Sequence, residues 1–553
     1  MISLVLGLTL LHPPDSQATL RAARRAQAEF ESFRRYHLPE ASDYAGQPCD
    51  LHIGRYCFWY GDQTNDSVPE PTAIRDARAR LLARLGDAAA ILPGDDWIAG
   101  QRVRYLIESG QRADAVALGG QCRATAWWCA ALVGFALHAA GDFAQADSAF
   151  AAALGAMPEE ERCRWHDVSL LLPRDLRARY DRMSCDERAE FEARWWWLAA
   201  PLLSRPGNDR RTEHFARLTL AHIERDSHTT RDDAWADDVR ELLIRFGPEV
   251  SWTRRPSLYL TASDPVITGH ERVPAFHFVP ASHAFDDPGA ARPEDWGLYD
   301  RRPDEWYAPA YADRFARLEG QWAAFRRGDS CTFVAAFDAS RDPTLGHQAA
   351  RAALVLARNE RSLVVSARET HLDGPEVLTA ISGCDRQLAS LEIVPATARW
   401  VARTRRGIEP PGPRDVSDLL VLDATDSLAH DLASVLPHVL PGEQVPVGGH
   451  LRLYWEVSGL APAGEPVTTS LSVTAQGRAW LGRAAESIGL VGRRRAVELQ
   501  WDEVLQPEGG VAPRVLDVDL SGLPAGRYRV TVAVSIGGGV PVTATREIEL
   551  VRR

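Results

Sequence analysis

Residues 134–158 read GFALHAAGDFAQADSAFAAALGAMP. Small and aromatic residues fall at offsets that suit two helices packed side by side. Gly134 takes a small position in the first helix, and Gly141 begins the turn. Ala146, Phe150 and Ala153 follow at small, aromatic and small positions of the second helix, and Pro158 closes it. The small residues let the helices approach, and Phe150 fills the groove between them.

The pattern extends upstream. Gly110 precedes Gly141 by one repeat length, and Val103, Leu106 and Ala115 fit the same template, with Gly119 in place of the aromatic. The two units resemble tetratricopeptide repeats. An ordinary alanine-rich hairpin is the alternative, since two units fall short of the three such arrays usually need. Thr72 to Leu92 reads as an additional packing helix, and residues 19–38 as a helix that stops near Pro39.

Downstream, Asp167 to Phe246 stays mainly helical. Asp186-Glu187-Arg188 opens a helix carrying Trp195-Trp196-Trp197, which cannot all face one side. A core role is expected for them. Ser251 to Tyr311 holds eight prolines with interleaved aromatics. It reads as an irregular arm anchored by Trp296, Tyr299, Trp306, Tyr307 and Tyr311. Beyond Gly328 the periodicity becomes two. Strands are expected at Cys331–Phe337, Ala352–Leu356, Leu363–Ala367, Leu391–Val394 and Ser417–Leu422, with a short helix at His430–Val435. Pro410, Pro411 and Pro413 mark a hinge. Six further strands between Leu451 and Val551 point to a β-sandwich. Tyr528, after the Leu523–Arg527 turn, reads equally as a corner tyrosine bonded back to the backbone or as a plain strand tyrosine.

The expected fold is therefore multidomain, α then β. A leader at 1–18 precedes a helical region at 19–160, a helical middle segment at 161–252 and the arm at 253–327. Two Ig-like β-sandwich domains follow at 328–436 and 437–553.

The middle segment carries Ala234-Trp235-Ala236-Asp237-Asp238, then Leu242-Leu243-Ile244-Arg245-Phe246-Gly247-Pro248. Trp235, Asp238, Phe246, Gly247 and Pro248 fall at the spacing of the GWxTD domain family, which this segment resembles. Asn208 and Glu213–Arg217 match the helix preceding that motif. Ala234 replaces the family's Gly and Asp237 its Thr, which makes this a divergent version. The resemblance implies a short apolar strand ending in Phe246-Gly247-Pro248, helical repeats before it and β-sandwich modules after it. It implies no catalytic residue. The five residues read as a structural motif, with Asp238 fixing a turn and Trp235 buried against preceding helices near Trp195 to Trp197.

Charge and chemistry narrow the function. Net charge is −12, which argues against a general nucleic-acid binder. No apolar run approaches the roughly 20 residues of a membrane span. The chain has no lysine, which removes Schiff-base, PLP and P-loop lysines. Ile2 to Leu11 with Ser16-Gln17-Ala18 resembles a secretory signal. The eight cysteines, Cys49, Cys57, Cys122, Cys129, Cys163, Cys185, Cys331 and Cys384, agree with export, and Cys49 and Cys57 could close a short loop. His270, His277 and His283 cluster in sequence beside Asp286 and Asp287, which raises a metal site, although satisfied or exposed histidines are the plainer reading. Glu213, His214, His222 and Glu224 share one helix, but the histidines lie about 80° apart around it. Asp237-Asp238 suits capping better than acid–base work. Arg493-Arg494-Arg495 reads as a solvated strand edge. No cofactor or metal is expected. The favoured function is a non-enzymatic, exported interaction or scaffold protein with an unidentified protein partner. The alternative is a metal-dependent or other hydrolase with its site under the 253–311 arm.

Overall fold

The computed structural model describes residues 16–41, 49–61, 68–255, 264–397, 399–423, 430–476 and 495–552. The leader expected at 1–18 therefore lies almost wholly outside the described residues, as does most of the Arg493–Arg495 run. The chain forms two compact units. Helices fill one and sheets the other, so the α-then-β order holds. No helix among the described residues is long and apolar enough to cross a membrane.

The helical unit comprises Met1–Pro201, Arg205–Ser282 and Trp296–Asp313. It begins with α1 (Ser16–His37) and a hairpin of β1 (Leu51–Ile53) and β2 (Tyr56–Phe58). Then follow α2 (Thr72–Ile91), α3 (Asp96–Glu108), α4 (Arg112–Gly120), α5 (Ala126–Ala140) and α6 (Phe143–Ala156). The quoted stretch forms the α5–α6 hairpin. Gly141, at φ +86°, ends α5, and Asp142 caps α6 by accepting the Gln145 N–H. A Cβ on Gly134 would stand 2.8 Å from the Phe150 ring, so only glycine admits that ring. Ala146, Phe150 and Ala153 are fully buried. Gly119 meets Val133 instead of supplying an aromatic of its own.

Beyond Pro158 come α7 (Glu159–Trp165), α8 (Arg174–Tyr180), α9 (Cys185–Ala199), α10 (Asp209–Glu224) and α11 (Asp237–Phe246). A Ser184–Glu187 capping box starts α9, and Asn208 caps α10. Trp195, Trp196 and Trp197 are all buried, because α9 is enclosed on several sides. Two expectations are corrected here. Residues 242–246 are not a strand: Leu242, Leu243 and Phe246 recur at helical spacing, and α11 runs until Gly247. The arm is not irregular throughout. It starts inside an antiparallel hairpin of β3 (Glu249–Arg255) and β4 (Val266–Glu271). Trp296, Trp306 and Tyr307 are buried anchors, whereas Tyr299 is 59% exposed.

After a short helix α12 (Ser282–Asp286), the β unit runs through β5 (Arg314–Ala316), β6 (Gly320–Arg327), β7 (Ser330–Asp338), β8 (Ala349–Asn359) and β9 (Ser362–His371). It continues with β10 (Pro375–Gly383), β11 (Gln387–Pro395) and β12 (Trp400–Ile408). The β region thus starts before residue 328, because β5 and β6 precede the Gly328 turn. The sheets β10-β7-β6 and β5-β12-β11-β8-β9 share a core that includes Phe333, Phe337, Leu354 and Leu391. The segment Leu202–Ser204 belongs to this unit, where buried Glu392 accepts the Leu203 and Ser204 N–H groups at 2.8 Å each.

The second pair of sheets is built from β13 (Leu420–Leu422), a short helix α13 (Leu432–Val435), β14 (Gln444–Pro446), β15 (His450–Ser458), β16 (Glu465–Gln476), β17 (Arg495–Leu505), β18 (Val511–Asp519), β19 (Gly526–Ile536) and β20 (Val542–Val551). The sheets are β13-β15-β18 and β14-β20-β19-β16-β17, around Trp455, Leu471 and Val532. The Tyr528 hydroxyl donates to the Pro524 carbonyl at 2.9 Å, which makes it a corner tyrosine. The proline hinge is bridged. Arg546, 8% exposed, donates through Nε to Leu419 O (2.9 Å) and through Nη2 to Trp322 O (2.7 Å). Disulfides join Cys49–Cys57, Cys122–Cys129, Cys163–Cys185 and Cys331–Cys384, using all eight cysteines.

Candidate functional site

The helical unit holds a cleft of about 660 Å³, within the roughly 300–1,000 Å³ typical of ligand sites. One face of α10 supplies Glu213, Arg217, Leu220 and Glu224, spaced along a single helical stripe. His214 and His222 fall off that stripe: His214 is buried against Trp196, and the His222 ring lies 4.5 Å from Trp128. Ile107 of α3, Phe135 of α5, Leu242 and Leu243 of α11 and Trp252 of β3 complete an apolar wall.

Ion pairs run along the other walls. Arg78 pairs with Glu70. Arg104 donates through Nε to Glu108 Oε1 (2.9 Å) and lies 3.0 Å from Glu224 Oε1 through Nη2. Arg34 lies behind them, fully buried, and also binds Glu108. Burial would raise the Glu108 carboxyl, but Arg34, Arg104 and Arg78 overcome it and hold it at about 2. Glu224 goes the other way. Burial pushes it up to about 7, because Arg104 offsets only part of the desolvation and Glu249, Glu108 and Glu31 repel its charge. Glu271 is raised too, by burial and by Glu249 directly across the hairpin. Arg231 bonds Glu249 Oε1 through Nε (3.1 Å) and Nη2 (2.6 Å).

A second cluster joins α5, α10 and α11. His138 Nε2 lies 2.6 Å from Glu213 Oε2, and Arg217 Nε donates to Glu213 Oε1 at 2.8 Å. Burial raises the Glu213 carboxyl, yet Arg217 and His138 drive it well below the usual carboxylate range. Arg217 also donates to Ile244 O (2.9 Å) and Trp306 O (3.0 Å), satisfying a last-turn carbonyl of α11 with a cation. Gly247 makes room for it. Its φ is +95°, and a Cβ there would lie 3.1 Å from Arg217 Nη2.

The motif residues all fall in this unit. Asp238 lies in the first turn of α11 and accepts from Arg55 N, Nε and Nη2, which ties down the β1–β2 hairpin. Phe246 stacks on Phe58 at 3.9 Å, and Trp306 Nε1 donates to Phe246 O. Phe246, Gly247 and Pro248 line the cleft. Trp235 departs from expectation. It is half-buried in the loop before α11, and among the described residues its ring pairs with no other aromatic. Asp237 is exposed in the first turn of α11. The three arm histidines bind three different partners: His270 Nε2 meets Thr253 Oγ1 (3.0 Å), His277 Nδ1 meets Glu305 Oε1 (3.0 Å) and His283 Nε2 meets Asp295 Oδ1 (2.8 Å). Among the described residues, one three-donor group has metal-ligand spacing, Cys49, His52 and Cys57, and both its cysteines are spent in a disulfide.

Sequence reasoning singled out Glu213 and Glu224 but did not bring them together with Arg104, Glu108, Arg231, Glu249 and Glu271. These come from α3, the loop before α11 and the β3–β4 hairpin, and no spacing rule connects them.

No family model matches the chain, and no curated protein does. Among solved structures, a red sea bream transglutaminase is similar at TM-score 0.15 and 10% identity, over 43% of this chain and 32% of that one. A glycosyl hydrolase family 2 member from Bacteroides cellulosilyticus gives 0.18 and 9%, over 40% and 27%. A tetra-tandem repeat from the extending region of a large adhesion protein gives 0.14 and 11%, over 43% and 49%. The chain thus spans less than half of each, and scores this low carry no argument about function.

Proposed function

We propose that the protein is a non-enzymatic, exported binding or scaffold protein whose cleft takes a segment of a partner protein. We place it as a divergent GWxTD member, with tetratricopeptide-like hairpins before the motif and Ig-like sandwiches after it. One observation carries the binding reading: a cleft of about 660 Å³ has an apolar wall drawn from α3, α5, α10, α11 and β3, beside carboxylates of which all but Glu271 are ion-paired within the described residues. Such a surface can bury side chains of a partner at little polar cost. The Gly134–Phe150 contact supports the repeat reading, and the Tyr528–Pro524 bond supports the Ig-like one. Four disulfides support export, since they persist in oxidising compartments.

The test is capture of a partner from envelope extract by the full chain, compared with Ala310→Trp. Ala310 is an exposed residue at the cleft, so its replacement fills the cleft without entering a core. The same partner retained by both proteins would sink the reading.

A hydrolase is the second reading, and one observation favours it. Glu224, pushed up to about 7, stands near Glu108, held at about 2, and carboxyls driven apart in this way are the usual mark of an acid–base pair. Under it, Glu224→Gln abolishes turnover of a peptide or glycoside substrate. Under the binding reading, the same variant leaves partner capture intact.

A further inference from the structure

We infer that the partner segment carries a basic side chain, a lysine or arginine among apolar neighbours, and that Glu271, with Glu249 and Glu224, receives its cation. This rests on the reading of the cleft as a partner-binding site and adds the chemistry of the occupant.

Charge complementarity comes first. Six carboxylates line the cleft, Glu70, Glu108, Glu213, Glu224, Glu249 and Glu271. Four arginines face them from buried or half-buried positions, Arg78, Arg104, Arg217 and Arg231. The remaining two, Arg112 and Arg272, are exposed at the rim. Arg34 behind the cleft also serves Glu108, and His138 serves Glu213, so the shortage of positive charge is confined to the β3–β4 hairpin. Glu249 and Glu271 are direct cross-strand partners, an arrangement that destabilises a hairpin when both are charged. Arg231 spends two donors on Glu249, and among the described residues Glu271 has no ion pair. An ammonium or guanidinium placed between them would relieve that repulsion.

Leu220, Leu242, Leu243 and Trp252 line the same cleft and would cover the aliphatic stem of a lysine or arginine. The chain has no lysine of its own, so a lysine in this subsite comes from the partner. An acidic side chain in this subsite would add a third like charge to the Glu249–Glu271 pair and is disfavoured.

The test uses the full chain and three fluorescein-labelled, end-capped peptides, Leu-Lys-Leu-Ala-Leu-Lys and its Gln and Glu counterparts, followed by anisotropy. The basic probe should bind about 10-fold tighter than the neutral one, the scale of one charge-assisted bond, and the acidic probe weakest. Glu271→Gln should remove most of that preference. Glu249→Gln, which frees Arg231 to neutralise Glu271, should do so as well, and it serves if the first variant folds poorly. Equal affinity for the basic and neutral probes overturns the inference and leaves the cleft reading standing. Preference for the acidic probe does the same. If no probe saturates, the inference fails, and the Ala310→Trp capture comparison decides the cleft reading separately.

Discussion

Asp238 grips Arg55 with both carboxylate oxygens, at 2.7 Å to Nε and 2.8 Å to Nη2, across 183 residues of sequence. The same carboxylate accepts the Arg55 backbone N–H. Gly54 lets this happen. Its φ is +52°, and a Cβ on it would stand 2.5 Å from Asp238 Cβ.

Gly54→Ala is therefore expected to cost more stability than Asp238→Asn. The alanine meets both a left-handed backbone and a clash, a loss of at least about 1 kcal/mol. The asparagine keeps one acceptor oxygen and loses the charge and the second acceptor, at a pair whose arginine is half-exposed and without backbone strain, which gives a smaller effect. Urea midpoints of the two variants rank them, and the reverse order refutes the packing account.

Two glycines on adjacent helices should respond with opposite sign. Gly134→Ala pushes a methyl against the Phe150 ring and should cost about 1–3 kcal/mol. Gly155, in α6, faces open space. Gly155→Ala should stabilise by about 0.5–1 kcal/mol through helix propensity. Thermal melts of the pair read the difference directly.

Stability should depend on pH through Glu224 and Glu108 in opposite ways. Glu224 rises in the fold from 4.5 to about 7. Its contribution is fully present below about pH 4.5 and is lost as pH climbs through 7. Glu108 falls from 4.5 to about 2, so its contribution is present above about 4.5 and is lost as pH drops through 2. Glu224→Gln should raise the melting temperature at about pH 8 and leave it nearly unchanged at about pH 4. An equal shift at both values would show that the carboxyl is not raised.

The disulfides should differ in worth with the loops they close. Cys331 and Cys384 are 53 residues apart, and Cys122 and Cys129 are 7. Chain entropy assigns about 4 kcal/mol to the first and about 2 kcal/mol to the second. Paired Cys→Ala variants compared by urea unfolding check the ranking.

The legible parts of this sequence were those where partners lie close along the chain. Gly134 and Phe150 meet within one hairpin, so their offset announces the contact. Tyr528 and Pro524 sit in one turn, and the pattern raised their bond as one of two readings. Alternation exposed most of the β half, because each strand carries its own period. Residues 242–246 failed for a local reason: a three-residue apolar run suits a strand or a helix equally, and only Gly247 at the end of α11 settles it. The cleft failed for a global one. Arg104, Glu224 and Glu271 belong to three elements far apart in sequence, and the hairpin bearing Glu271 was hidden in a proline-rich arm.

Arg546 has a mechanical consequence. The stretch through Pro410, Pro411 and Pro413 looks like a swivel, yet a guanidinium beyond it holds carbonyls on both sides, at Leu419 and Trp322. Twisting the joint would strip those carbonyls from a cation sheltered from water, a costly separation. The paired sandwiches should therefore move as one stiff strut, carrying a pull applied at the C-terminal strands straight through to β6 without bending at the prolines.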